Sequence, residues 1–136
     1  MPFVSITRLR VRRWYFMPAF LIDALRSFLQ AKKAPGNLDV TLMNDSHRAF
    51  WTRTLWTDER AMRGFMLGPP HRQIMTKLRN WCDEASVAHW VQDQPAPPSW
   101  REVYERMQRE GRAVQVDHPS EDHRAFRVPT PVFLEP

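Results

Sequence analysis

Apolar residues recur at every second position in four segments of this chain and at helical spacing in the two segments between them. The strand spacing covers residues 3–12, 37–45, 48–57 and 85–93, and the helical spacing covers residues 17–36 and 58–81. Gly68-Pro69-Pro70 interrupts the second helical segment. The order β-α-β-β-α-β predicts an α+β, ferredoxin-like fold with a four-stranded antiparallel sheet and a broken second helix.

The composition indicates a folded domain. The chain is 43% hydrophobic, and no apolar run approaches the roughly 20 residues that a membrane-spanning helix needs. The first residues, MPFVSITRLRVRRW, alternate in character and do not resemble a signal peptide. A single cysteine, Cys82, excludes an intramolecular disulfide and a cysteine-based zinc finger. We therefore expect a cytoplasmic protein with no membrane partner.

The sequence changes in character after Asp93. Gln94-Pro95-Ala96-Pro97-Pro98 is typical of a linker, and Ser99 begins a mostly charged helix with a capping box to Glu102. The last 25 residues contain four prolines and little periodicity. We expect residues 1–93 to form the ferredoxin-like α+β barrel domain. Residues 94–136 would be an appendage, consisting of a C-terminal helix and an extended arm, whose removal leaves a folded dimer.

Both faces of the predicted sheet carry large apolar side chains. The alternation places Trp51 and Arg53 on one face and Trp56 on the other. One layer of helices covers only one face, and a bare second face would expose a larger apolar patch than monomers tolerate. We therefore predict a homodimer that buries one sheet face per subunit.

Basic residues are concentrated near the beginning of the chain, where residues 1–33 contain seven Lys or Arg and one Asp. Arg8, Arg10, Arg12 and Arg13 lie where the first strand ends. They form either a solvated basic patch or a surface for an acidic ligand or nucleic acid. We do not expect nucleic acid, because the aromatic and glycine-rich signature of RNA-binding sheets is absent.

The segments FWTRTLWTDERAMRGFM, PHR and LRNWCDEASVAHW resemble the antibiotic-biosynthesis-monooxygenase group of dimeric α+β barrels. The more specific resemblance is to the spheroidene-monooxygenase-like branch, and it covers about residues 3–92. Its most specific part is Leu55-Trp56-Thr57-Asp58-Glu59, followed by Met62, Phe65 and His71-Arg72.

This resemblance implies a homodimer with sheets packed face to face and a pocket between sheet and helices in each subunit. Members of the group oxygenate polycyclic or polyene substrates, some without a cofactor and some with haem, and other members only bind ligands. The expected function is therefore a monooxygenase-like enzyme acting on a hydrophobic aromatic or polyene small molecule. The alternatives are a non-catalytic dimeric small-molecule-binding protein and, third, an RNA-binding module. The resemblance leaves two possibilities for the cofactor, which are none and haem.

His71 and Arg72 are the candidate catalytic residues. His71 directly follows the Gly68-Pro69-Pro70 break, where a side chain can point into a gap between helix and sheet. A neutral imidazole there could take a proton from an acidic substrate or ligate iron, and Arg72 could hold a carboxylate or enolate oxygen. The alternative is that His71 caps the broken helix and Arg72 is solvated.

Six further side chains are candidates for substrate binding. Methionine and aromatic side chains form adaptable walls for flat hydrophobic molecules, and the same residues also build ordinary cores. The candidates are Met62, Phe65, Met66, Trp51, Trp56 and His89. No metal site is predicted, because the histidines show no ligand spacing.

Overall fold

The computed structural model describes residues 1–130, so the end of the expected C-terminal arm, residues 131–136, lies outside the described residues. The strands are β1 (Phe3–Val11), β2 (Asn37–Asn44), β3 (Ala49–Trp56), β4 (Cys82–Val91) and β5 (Arg112–Ala113). The helices are α1 (Met17–Lys33), α2 (Glu59–Leu67), α3 (His71–Trp81), α4 (Trp100–Glu110) and α5 (Glu121–Ala125), with a 3-10 turn at Trp14–Phe16.

The predicted β-α-β-β-α-β order is confirmed, with the second helix divided into α2 and α3. The sheet has the strand order β2-β3-β1-β4-β5, and every neighbouring pair is antiparallel. The prediction of four strands is wrong, because β5 pairs with Ser86 and Val87 of β4 as a fifth strand. A two-residue strand is too short to show any alternation in the sequence.

The two faces of the sheet are covered by different helices. On the face that contains Phe3 and Trp56, side chains of β1 and β3 pack with α1 and α2. The opposite face, here called the Trp51 face, packs against α4, whose Val103 and Met107 are fully buried. The sheet residues in that buried cluster are Val4, Ile6, Trp51, Leu55, Ala88 and Trp90.

The prediction of a bare sheet face is therefore wrong, because α4 of the same chain covers that face and no second copy is needed to bury it. The linker is also fixed to this face, since Arg53 donates to the Pro98 carbonyl at 2.8 Å. The homodimer itself stays a prediction. The exposed apolar surface that it could bury lies on α1 instead, at Leu21, Ile22, Leu25 and Leu29.

The basic residues at the end of β1 do not all lie in a solvated patch. Arg8 is only 2% exposed, and its Nη1 donates to Glu84 Oε1 at 2.6 Å. Arg10 is half-buried and lies 3.2 Å from the other oxygen of Glu84. The interpretation of these arginines as a surface patch is thus wrong for Arg8. Its charge is compensated inside the fold by acidic residues far away in the sequence.

Candidate functional site

The break between α2 and α3 places His71 as the first residue of α3. Gln30, from α1, fixes this connection from the side. Its Nε2 donates to the Phe65 carbonyl at 3.1 Å, and its Oε1 accepts the His71 backbone N–H at 2.9 Å. One amide side chain thus satisfies groups that helix ends otherwise leave unpaired. Sequence reasoning missed Gln30, although a lone amide beside the apolar stripe of α1 was a visible signal.

The His71 ring lies against a stack of aromatic side chains. Its centroid is 4.5 Å from that of Phe65, and the Phe65 ring stacks on Trp56 at 5.3 Å. Met62 is buried in the same cluster, and Met66 packs at its edge. We call these five residues, Trp56, Met62, Phe65, Met66 and His71, the His71 cluster. The structure therefore brings together five of the eight candidate site residues.

Burial lowers the pKa of His71 below its usual 6.5, and a backbone hydrogen bond with Met66 opposes this shift only in part. Within residues 1–130, its Nδ1 atom is buried without a hydrogen-bond partner. The lowered pKa favours the neutral imidazole at pH 7, and Nδ1 is an unmet polar atom next to an aromatic surface. A neutral imidazole in an apolar setting is able to accept a proton from a substrate.

The remaining candidates lie outside the cluster. Arg72 follows His71 on α3, and its side chain is exposed. His89 borders the cluster through Phe3, with ring centroids 5.6 Å apart, and burial followed by the charge of Arg112 lowers its pKa. Trp51 lies on the opposite sheet face and donates from its indole to Asp45 at 2.8 Å.

The surroundings of His71 do not fit a haem. An axial histidine needs a ring nitrogen that faces a wide open slot. Here the ring packs against Phe65, with the two ring centroids 4.5 Å apart. Two cavities of about 620 and 330 Å³ lie elsewhere, and His71 lines neither of them. In the part of the chain that the structure describes, no group of three or more histidine, cysteine or acidic side chains is placed to hold a metal ion.

No helix within residues 1–130 is long and apolar enough to cross a membrane. Cys82, whose thiol could serve as a nucleophile, is buried on the sheet, and burial raises its pKa to about 12. The thiol therefore stays protonated and unreactive at neutral pH. The His71 cluster places a basic ring nitrogen beside an aromatic surface, and the Phe65 ring covers it.

Solved structures share this fold. SnoaB, a cofactor-independent oxygenase from Streptomyces nogalater, is 19% identical, with a TM-score of 0.58 over 71% of this chain and 98% of its own. Rv0793 from Mycobacterium tuberculosis is 11% identical, with a TM-score of 0.64 over 71% of this chain and 99% of its own. An antibiotic biosynthesis monooxygenase is 12% identical, with a TM-score of 0.60 over 68% of this chain and 99% of its own.

No curated protein matches the sequence. At these identities the solved structures establish the fold and leave the chemistry to be argued from the site. A family model described as "Domain of unknown function (DUF3291)" matches residues 22–131, which is most of the chain. The chain therefore belongs to the DUF3291 family, and it has the ferredoxin-like α+β fold of the antibiotic-biosynthesis monooxygenases.

Proposed function

We propose that this protein is a monooxygenase-like enzyme that acts on a hydrophobic aromatic or polyene small molecule, with His71 as its base. The observation that carries the proposal is the contact of the His71 ring with Phe65, which stacks on Trp56, and burial there lowers the pKa of His71. The fold shared with a cofactor-independent oxygenase supports it. Within the group, the resemblance on Leu55 to Glu59 and on His71-Arg72 favours the spheroidene-monooxygenase-like branch.

Without a cofactor, the electrons that reduce oxygen come from the substrate. His71 takes a proton from an acidic ring CH₂ group, and the resulting carbanion transfers electrons to O₂ and forms a C–O bond. The peroxide anion takes the proton back from the imidazolium, and loss of water from the hydroperoxide leaves a ketone. One CH₂ and one O₂ thus become one C=O and one H₂O. The exposed Arg72, next to His71, would hold the substrate's enolate oxygen.

Substrate reaches His71 when Phe65 moves off the Trp56 ring. Phe65 and Met66 are only half-buried, and nothing lies within 4 Å of a methyl group added at the neighbouring Gly64. Their partial exposure means that solvent already reaches one side of these two side chains, so a turn outwards moves them towards water. A flat aromatic molecule would then replace Phe65 in its stacking contact with Trp56.

The second candidate function is a non-catalytic small-molecule-binding protein. It is favoured by the close contact of Phe65 with both His71 and Trp56, which leaves the base covered. In this alternative the ligand stacks on the same aromatic side chains, and His71 only hydrogen-bonds to it. Oxygen uptake distinguishes the two functions, because binding alone consumes no O₂.

The His71→Gln variant tests the proposal. With polycyclic aromatic ketones that have an acidic ring CH₂, we expect oxygen uptake to fall by about 100-fold or more, since glutamine cannot accept the proton. The urea midpoint should stay close to that of the wild type. His118→Gln, at an exposed histidine in the loop before α5, is the matched control and should retain full activity. A His71→Gln variant with wild-type uptake would overturn the proposal.

We also propose that residues 1–93 form the barrel domain and that residues 94–136 are appended to it. The solved relatives support this division, because nearly the whole of the SnoaB chain corresponds to only 71% of this one. The homodimer and the cytoplasmic location belong to the same proposal. The exposed leucines of α1 support the homodimer, since they provide apolar surface that a second copy would bury.

A further inference from the structure

A cavity of about 330 Å³ opens on the Trp51 face, at the end of β1 that contains Arg8 and Arg10. The His71 cluster lies at the other end of the strand, where Phe3 pairs with Trp56. The turn between β2 and β3, the beginning of β4 and α5 form its walls. The cationic residues that line the cavity are Arg8, Arg10 and Arg48, and the acidic ones are Glu84 and Asp122. Its volume is sufficient for a small organic molecule.

Arg8 is the distinctive residue of this cavity. Its side chain is 2% exposed, and only Nη1 is used in a hydrogen bond, to Glu84. Within residues 1–130, Arg8 Nη2 and Nε are both buried without a hydrogen-bond partner, and so is Arg10 Nε. Nε lies 3.6 Å from Asp45 Oδ2, which is too long for a hydrogen bond. Buried N–H donors are rarely left unmet in a folded protein, so these donors indicate a ligand that accepts from them.

The acidic side chains of the cavity are already compensated. Glu84 accepts hydrogen bonds from Arg8, from Arg10 at 3.2 Å and from Ser120 at 2.7 Å. Asp122 pairs with Arg127 at 3.0 Å. Among the residues that line the cavity, the groups that stay open are therefore donors of Arg8 and Arg10, and the complementary ligand group is an anion with at least two oxygens.

Arg48 lies at the mouth of the cavity. It is exposed and has a backbone φ of 65°, in the left-handed region where glycine or asparagine is usual. The turn is held by Asp45, whose Oδ1 accepts the backbone N–H groups of His47 and Ala49. A residue with a long cationic side chain thus occupies a strained turn position beside the buried arginines.

We propose that this cavity binds a small oxyanion, the carboxylate or phosphate group of a small organic molecule, through Arg8 and Arg10, with Arg48 closing over it. The planar guanidinium of Arg8 offers Nη2 in a fixed direction, which suits an oxyanion that accepts two hydrogen bonds. The site is independent of the His71 cluster, because it lies on the opposite face of the sheet.

The indole N–H of Trp51 reports on this site. It donates to Asp45, and the Arg8 guanidinium lies 5.9 Å from the centre of the Trp51 ring. In the test, acetate, benzoate and inorganic phosphate are titrated into the full chain at constant ionic strength, with the Trp51 indole resonance followed by NMR. We expect a saturable shift with at least one of these probes. A response to the carboxylates alone or to phosphate alone identifies the bound group.

Arg48→Gln is the informative variant, because its exposed side chain can be replaced without disturbing the buried ion pairs. We expect it to weaken oxyanion binding by about tenfold while the urea midpoint is unchanged. Arg60→Gln, at an exposed position on α2, is the matched control and should bind as the wild type does. An equal shift with chloride, no saturable shift with any probe, or wild-type affinity in Arg48→Gln would overturn the proposal.

Discussion

Arg8→Met is expected to lower the free energy of unfolding by about 3–5 kcal/mol, because it leaves the buried Glu84 carboxylate without its closest cation. Glu84 and Arg8 are both nearly inaccessible, and their closest atoms are 2.6 Å apart. Arg10 and Ser120 still contact Glu84, but neither replaces the buried guanidinium. Urea unfolding followed by circular dichroism measures the loss.

The double variant Arg8→Met/Glu84→Met is the control for this prediction. Two apolar side chains of similar length remove both charges together, so the double variant should recover the part of the stability that Arg8→Met loses at Glu84, while the buried Asp45 still lacks its neighbouring cation. A single variant within about 1 kcal/mol of the wild type would contradict the account of the pair, since that is the range of exposed ion pairs.

The same ion pair gives an expected pH dependence. Burial alone would raise the pKa of Glu84, but the Arg8 and Ser120 hydrogen bonds and the charges of Arg8 and Arg10 lower it below its usual 4.5. A carboxyl group whose pKa is lower in the folded state stabilises the fold above its unfolded pKa, and this stabilisation is lost as pH falls. The free energy of unfolding of the wild type should thus decrease as the pH falls below about 4.5. The decrease should be smaller in the double variant, which lacks Glu84.

Met107→Asp should release α4 from the sheet, with a loss of about 4 kcal/mol or more of docking free energy. Met107 is fully buried against the Trp51 face, and an aspartate there would be an unpaired buried charge. Release of α4 exposes Trp51, Leu55 and their neighbours. We expect a red shift of tryptophan emission, cleavage by added trypsin at the arginines of the released α4, and self-association by light scattering.

Gln108→Asp, one residue further along α4, is the matched control because Gln108 is exposed, and it should leave all three measurements unchanged. The chain truncated after Asp93 should behave like Met107→Asp, as a folded species that associates through the Trp51 face. Complete loss of cooperative unfolding in the truncated chain would instead show that α4 belongs to the folding unit of residues 1–93.

The order of the elements was predictable because it depends on local patterns. The structure confirms the strand predicted from strict alternation in β1, the helix predicted from the spacing of α1 and the break before His71. The N-cap of α4 is also local, and Ser99 accepts the Glu102 N–H at 3.2 Å. These features require only neighbours within a few residues, which the sequence displays directly.

The features that were missed depend on contacts between distant residues. Arg8 pairs with Glu84, which is 76 residues away, and no local pattern distinguishes it from the exposed Arg13. The apolar stripe of α1 is wider than its contact with the sheet, so Phe20 is buried while Leu25 is 57% exposed. Tertiary packing likewise decides which sheet face α4 covers, and the periodic pattern of the sequence does not predict it.

The central claim is that His71 carries a neutral imidazole beside an aromatic surface that accepts a flat ligand. An NMR pH titration of the histidine ring protons tests it most directly, with His71→Gln to assign the resonance and a polycyclic aromatic ketone as ligand. The account predicts a His71 pKa below the usual 6.5 and a further change in its resonances when the ligand binds. A pKa at or above 6.5 with no response to the ligand would contradict it.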